Sequence, residues 1–338
     1  MVDARSRGLR ISLFALHDSP ILACAALNEQ HLLTVSMSGQ LFLSDLQGKV
    51  LEKRRDHSKY IVKVVSHHDA AHGSFIATAG WDSKILIYRI QPDSQLEIGE
   101  PAATIPLATK PECMIFLQHP DNGKPILLVS RTDSSFLFYY TVESEPRLLG
   151  KQNLAPHSNT WVAFTPSSFQ LCPTDPSLLA VGTSSVPHMK LLIVRLLFPP
   201  CEAPAASTPA RSLRASLLDE EATVTETQAS QARAALAIAD REFAAIQIHC
   251  TTMAPQTAYS TPAIAWRPDG SGVWVNGDDG AVRGIEASTG KIISTLLRGH
   301  EPGSKVRCLW AGKMDDNAEE KEILASGGFD QKLIVWTV

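Results

Sequence analysis

Paired cysteines, a dominant charge sign, long apolar runs and the short motifs of common catalytic sites are all missing from this sequence of 338 residues. The six cysteines (Cys24, Cys113, Cys172, Cys201, Cys250 and Cys308) lie far apart and form no Cys-x-x-Cys pair or Cys/His ladder at zinc spacing. They read as small buried hydrophobes or free thiols of a reducing compartment, with no metal or cofactor expected. Lysine and arginine number 31 against 35 aspartates and glutamates, so a net charge of −4 gives no global attraction to a nucleic-acid backbone. Local basic clusters, Lys53-Arg54-Arg55 and Arg5, Arg7 and Arg10, read as solvated strand ends and a loose terminus. The strongest apolar run, Lys190 to Phe198, is too short to cross a bilayer and contains Arg195. The N-terminal stretch lacks the apolar core of a secretory signal, so the expected location is intracellular, cytoplasm and/or nucleus, with no membrane partner. No Gly-rich phosphate loop, HExxH or GxSxG motif occurs, and an enzyme is not expected.

What is present is a repeat. The stretch ILASGGFDQKLIVWTV (323–338) matches FIATAGWDSKILIYRI (75–90) almost position for position. Each has an apolar run, a hydroxyl residue, a glycine, an aromatic followed by Asp, two polar residues, and an alternating β-branched run ending in an aromatic. That order predicts two strands joined by a tight turn. Weaker copies are HLLTVSMSGQLFLSD, ILLVSRTDSSFLFYY, LLAVGTSSVPHMKLLIVRL and VWVNGDDGAVRGIE. Each hairpin follows another short apolar segment (PILACAAL, YIVKVVS, ECMIFL, TWVAF, AIAWRPDG, KVRCLWAG), and most precede a fourth. Four short strands per unit make one propeller blade. Six units result: 17–55, 56–107, 108–155, 156–250, 256–298 and 299–338.

These residues resemble the WD-repeat (WD40) β-propeller family over nearly the whole chain. The resemblance implies an all-β fold, one propeller domain over 1–338, with six recognisable four-stranded blades and a seventh possible. In that family a His, a strand Ser/Thr, a turn Asp and a terminal Trp form a buried hydrogen-bonded tetrad. His300, Ser326, Asp330 and Trp336 fill all four positions in the last unit, and His57, Thr78, Asp82 and Tyr88 fill them in the second with Tyr for Trp. The last unit stops at its third strand, and residues 8–15 (GLRISLFA) are expected to supply the fourth and close the ring, hiding a bare sheet edge. Residues 199–241 interrupt the fourth unit as a Pro/Ala/Ser linker followed by good helix formers, a tether leading to a helical or disordered segment.

Such a ring is expected to hold other proteins or peptides as one propeller within a hetero-complex, with nucleic acid not expected. In the resembled family the residue before the turn Asp faces partners; here these are Met37, Trp81, Thr132, Asp278 and Phe329. Trp81 and Phe329 stand out because aromatics dominate interface hot spots. An alternative is a reader of a modified peptide or RNA segment in the central channel. His67, His68 and His72 are expected in a hydrated loop rather than around a metal. Thr208, before Pro209, and Ser216, after Arg211 and Arg214, match simple kinase targets within the insertion.

Overall fold

The computed structural model describes residues 16–69, 72–90, 97–158, 162–201, 228–316 and 319–338. Their strands form six antiparallel sheets, each built from consecutive strands in chain order. The first holds β1 (Ile21–Ala26), β2 (His31–Ser36), β3 (Leu41–Asp45) and β4 (Val50–Arg54). The second holds β5 (Ile61–Asp69), β6 (Gly73–Gly80), β7 (Lys84–Ile90) and β8 (Ala103–Pro106). The third holds β9 (Pro111–Gln118), β10 (Pro125–Arg131), β11 (Phe136–Thr141) and β12 (Leu148–Asn153). The fourth holds β13 (Pro166–Leu171), β14 (Leu178–Thr183), β15 (His188–Arg195) and β16 (Ile246–Pro255). The fifth holds β17 (Ile264–Trp266), β18 (Gly272–Asn276), β19 (Val282–Glu286) and β20 (Ile292–Leu296). The sixth holds β21 (Val306–Asp316), β22 (Glu319–Gly328) and β23 (Leu333–Thr337), three strands among the described residues. Five sheets fall within one sequence repeat each, and the fourth overruns its expected boundary at 250 because β16 continues to Pro255. The expected pairing of residues 8–15 lies outside the described residues.

The burial of the strands explains their composition. The second and third strands of the first five sheets are largely buried, so β10 (PILLVSR) and β14 (LLAVGT) read as continuous apolar runs instead of alternating, whereas β23 of the sixth sheet is exposed at alternate positions. Fourth strands lie at sheet edges with one flank in water, and β4 (VLEKR) and β20 (IISTL) are correspondingly mixed and exposed.

The chain forms two compact units, Met1–Pro111 with Val142–Pro146, and Glu112–Thr141 with Arg147–Val338. In the first unit, Leu33, Val35, Leu41 and Leu43 of one sheet share a core with Val64, Ile76, Leu86 and Tyr88 of the next. In the second, Leu128, Leu137 and Tyr139 pack with Phe169, Val181 and Leu192, and successive clusters join the fourth sheet to the fifth and the fifth to the sixth. No sheet buries its faces alone. Consecutive sheets of this unit are also stapled by polar side chains. Buried Gln152 of β12 donates to the Arg195 carbonyl (3.0 Å) at the end of β15 and accepts from the Leu197 amide (3.0 Å) just beyond it. Trp266 of β17 donates its indole N–H to the Gln170 carbonyl of β13 (2.9 Å).

Three expectations need correction. The first strand of the fourth unit is β13 (Pro166–Leu171), downstream of the apolar TWVAF segment, because Phe169 and Leu171 are the residues that register with β14. His67 and His68 belong to β5 and pair with Phe75 and Ser74, so they are not in a loop: that hairpin continues two residues further than its turn-like composition suggests. The insertion runs past 241, because the helix α1 (Gln228–Ala245) continues directly into β16. Glu242 fastens α1 to the third sheet by accepting the Asn153 amide at 2.7 Å, and burial raises its pKa against that bond and Lys151. Thr208 and Ser216 lie outside the described residues. Among the described residues no helix is long and apolar enough to cross a membrane.

Candidate functional site: locked turns and their exposed residues

In the sixth sheet His300 Nδ1 donates to Asp330 (3.0 and 3.1 Å), and its Nε2 faces the Ser326 hydroxyl at 2.8 Å. Trp336 Nε1 donates to the same hydroxyl at 2.9 Å. The directions follow from chemistry: a carboxylate only accepts, so Nδ1 carries the proton and Nε2 accepts from serine, which in turn accepts from the indole. A Ser–His–Asp chain is also the layout of a hydrolytic triad. Here the serine is fully buried and its oxygen already accepts the indole N–H, so the chain fixes a turn rather than presenting a nucleophile. Burial alone would raise the Asp330 pKa, but His300 and the Glu301 and Lys332 amides outweigh it and hold the pKa at about 2.

The second sheet repeats the device with one change. His57 Nδ1 donates to Asp82 (3.0 Å) and Nε2 faces Thr78 Oγ1 (2.9 Å). Tyr88 reaches past the threonine: its hydroxyl donates to Asp56 Oδ2 at 3.0 Å, a carboxylate also held by Arg54. The glycine before each rim aromatic is required by this packing. A Cβ on Gly328 would come within 2.6 Å of His300 Nδ1 and 2.7 Å of Asp330 Oδ1, and one on Gly80 would overlap His57 and Asp82.

The first sheet holds a partial copy that the motif did not reveal. His17 Nε2 bonds Thr34 Oγ1 at 2.8 Å, as in the other two sheets, and its ring stacks on Phe42. Ser38 stands where Asp is needed, and among the described residues the buried Nδ1 has no partner. Burial lowers the His17 pKa, with Asp18 opposing. Replacing Ser38 with Asp should give Nδ1 an acceptor, stabilise the protein by about 1 kcal/mol and raise the histidine pKa. Denaturant melts and an NMR titration of His17 would check this, and unchanged values in both would contradict it.

A left-handed residue marks the same turn position in five sheets: Gly39 (φ 78°), Ser83 (62°), Asp133 (58°), Gly280 (81°) and Gln331 (61°). The residue two before it is Met37, Trp81, Arg131, Asp278 or Phe329. Arg131 therefore replaces Thr132 as the counterpart of Trp81, because Asp133 is itself the left-handed residue rather than the one before it. In three sheets the amide of the rim residue donates to the carbonyl of the chain entering that sheet, Met37 to Pro20, Trp81 to Tyr60 and Phe329 to Lys305, whereas the Asp278 amide donates to Pro255 at the end of β16 in the sheet before.

These rim side chains differ in what covers them. Lys110, which enters the third sheet, puts its ammonium 3.6 Å from the Trp81 ring centroid, and Tyr60 lies 4.4 Å away, leaving the indole half-buried. Lys305, which enters the sixth, reaches back to Asp278 at 3.0 Å. Burial pushes the Asp278 pKa up, but Ser260 and Lys305 dominate and hold it below the usual carboxylate range. Its charge is thus spent internally. Met37 is 53% exposed and Phe329 63% exposed, with the Arg307 guanidinium 4.7 Å from the phenyl centroid.

Comparison with known proteins agrees with this architecture. A family model described as "UCP007778, beta-propeller domain" matches residues 17–337. No curated protein matches. Among solved structures, the Cps50 (Swd1) β-propeller domain of Myceliophteria thermophila is similar, with a TM-score of 0.56 and 14% identity over 95% of this chain and 85% of that one, a likeness of fold alone. With its six successive antiparallel sheets, the chain belongs to this β-propeller family.

Proposed function

We propose that the protein is a non-catalytic scaffold, a single propeller domain inside the cell, that docks other proteins or peptides on its rim turns as a subunit of a multiprotein complex. The observation that carries this reading is Phe329: a large aromatic, 63% exposed, on a turn whose neighbours Asp330 and His300 are locked and buried. An apolar ring held rigidly in water loses little conformational entropy when a partner covers it, which is the physics of an interface hot spot. Trp81 is the second anchor, with the Lys110 ammonium available to a partner's carboxylate. The alternative, a reader of a modified peptide or RNA segment in the central channel, is less well supported, because the Trp81 ring already carries Lys110 and Tyr60.

The test is affinity purification with quantitative mass spectrometry from cells expressing wild type, Phe329→Ala and Trp81→Ala/Phe329→Ala. Loss of the core partners by at least about tenfold in the double variant, equivalent to roughly 1.4 kcal/mol, with an unchanged melting temperature, is the expected result. An unchanged partner set on a folded double variant would overturn the proposal. Phe329→Ala alone serves if Trp81→Ala impairs folding.

A further inference from the structure

His119 follows β9 and is only 1% exposed, yet its imidazole is held by two contacts that together fix its tautomer. Nε2 lies 2.7 Å from the Pro199 carbonyl, which only accepts, so Nε2 carries the proton. Nδ1 lies 3.2 Å from the Asp121 amide, which only donates, so Nδ1 presents its lone pair. The Asp121 carboxylate stands 3.8 Å from that same lone pair. An arriving ion would displace the long Asp121 amide bond from Nδ1, and the Cys201 thiol completes a set whose ligand atoms all lie within 4.8 Å of one another.

We propose that His119 Nδ1, Asp121 and Cys201 form a binding site for a zinc-class divalent cation. The set combines imidazole nitrogen, carboxylate oxygen and sulfur, the donors that such borderline-soft ions take. Bond lengths of about 2.0–2.3 Å place tetrahedral ligands roughly 3.3–3.8 Å apart. The His119 to Asp121 spacing already falls there, and Asp121, with its side chain 72% exposed, is able to close the remaining gap. The Pro199 carbonyl supplies the outer hydrogen bond that orients a ligating histidine. Pro199 is itself seated on Gly150, where a Cβ would come within 2.8 Å of its ring, so the chain leading to Cys201 is held in place. On binding, the cysteine thiol gives its proton to bulk water, and the carboxylate and thiolate together neutralise the two positive charges. Water takes the fourth position. The ion would fasten the chain leaving β15 to the β9–β10 turn just where the insertion begins, tying the third sheet to the fourth. Spacing rules miss such a set because Cys201 comes from a different repeat than His119 and Asp121.

The experiment uses the full chain, stripped with a chelator and titrated with Zn²⁺ against a chromophoric competitor, then with Co²⁺ as a spectroscopic probe. One Zn²⁺ per chain and a thiolate-to-cobalt absorption band are expected. Cys201→Ser should abolish the band, and both Cys201→Ser and Asp121→Asn should weaken Zn²⁺ binding by more than the roughly 10–100-fold that loss of an outer partner costs. Cys308→Ser, a substitution at an exposed thiol elsewhere, should change neither. Zn²⁺ should also slow alkylation of Cys201. Wild-type protein with no thiolate band at saturating Co²⁺, or equal Zn²⁺ affinity in wild type and Cys201→Ser, overturns the proposal.

Discussion

Replacing Asp330 with Ala is expected to destabilise the protein by roughly 3–5 kcal/mol. The side chain is fully buried and accepts from His300 Nδ1 at 3.0 Å and from the amides of Glu301 (3.0 Å) and Lys332 (3.3 Å). Removing it leaves a buried imidazole N–H and two amides without an acceptor, and the imidazole carries most of the cost. For a unit of this size that amounts to a fall in melting temperature of roughly 10 °C or more. The same group sets an acid limit. Its pKa of about 2 in the fold lies below the 3.8 of a free aspartate, so its stabilisation is complete above pH 4 and is lost as pH falls towards 2. Melts of wild type and Asp330→Ala should therefore converge at low pH. A variant within 0.5 kcal/mol of wild type at pH 7, where ordinary surface changes fall, would show that the tetrad is not structural.

Glu322→Ala is the second large effect. Glu322 of β22 accepts the indole N–H of Trp274 at 2.7 Å and two N–H groups of Arg267 at 2.9 and 2.6 Å, joining the fifth sheet to the sixth. Trp274 is 1% exposed, so its N–H has no water to turn to. The hydrogen bond to Glu322 is also the main reason the Arg267 pKa is raised. Truncation should cost about 2–4 kcal/mol, because it leaves a buried donor and a half-buried cation unpaired. Glu322→Gln keeps an acceptor for the indole but forfeits the charge-assisted pair, and should cost about half as much. Urea unfolding of both variants measures this; equal stability of Ala and Gln variants would contradict the assignment of the indole bond.

The repeat was readable because each unit carries its own strand pattern and turn chemistry, so boundaries at 55, 107, 155 and 298 fall between sheets. The His–Ser/Thr–Asp chains of the second and sixth sheets were readable because those three residue types are present in both, with Trp336 completing the set only in the sixth. His17 escaped because Ser38 replaces the aspartate, and a histidine without its carboxylate has no spacing signature; only its contact with Thr34 reveals it. The one-residue error at Thr132 has a related origin: Asp133 looks like the turn aspartate but occupies the left-handed position. Gln152, Gln170, Arg267 and Glu322 were not readable at all, since bonds between sheets depend on which faces meet and not on local pattern. The covering of Trp81 by Lys110 and the neutralisation of Asp278 by Lys305 needed coordinates. Both lysines follow one rule. The chain entering a sheet reaches back to the rim residue of the sheet before.

The measurement that bears most directly on the scaffold reading is hydroxyl-radical footprinting of the protein alone and in its native complex, read at single side chains. Phe329, 63% exposed, is expected to react freely in the isolated protein, and the account predicts that the partner protects it together with Trp81, while the outer-strand residues Leu51 and Ile293 keep their reactivity. Unchanged labelling of Phe329 and Trp81, with protection confined to the outer strands or to helix α1, would contradict it.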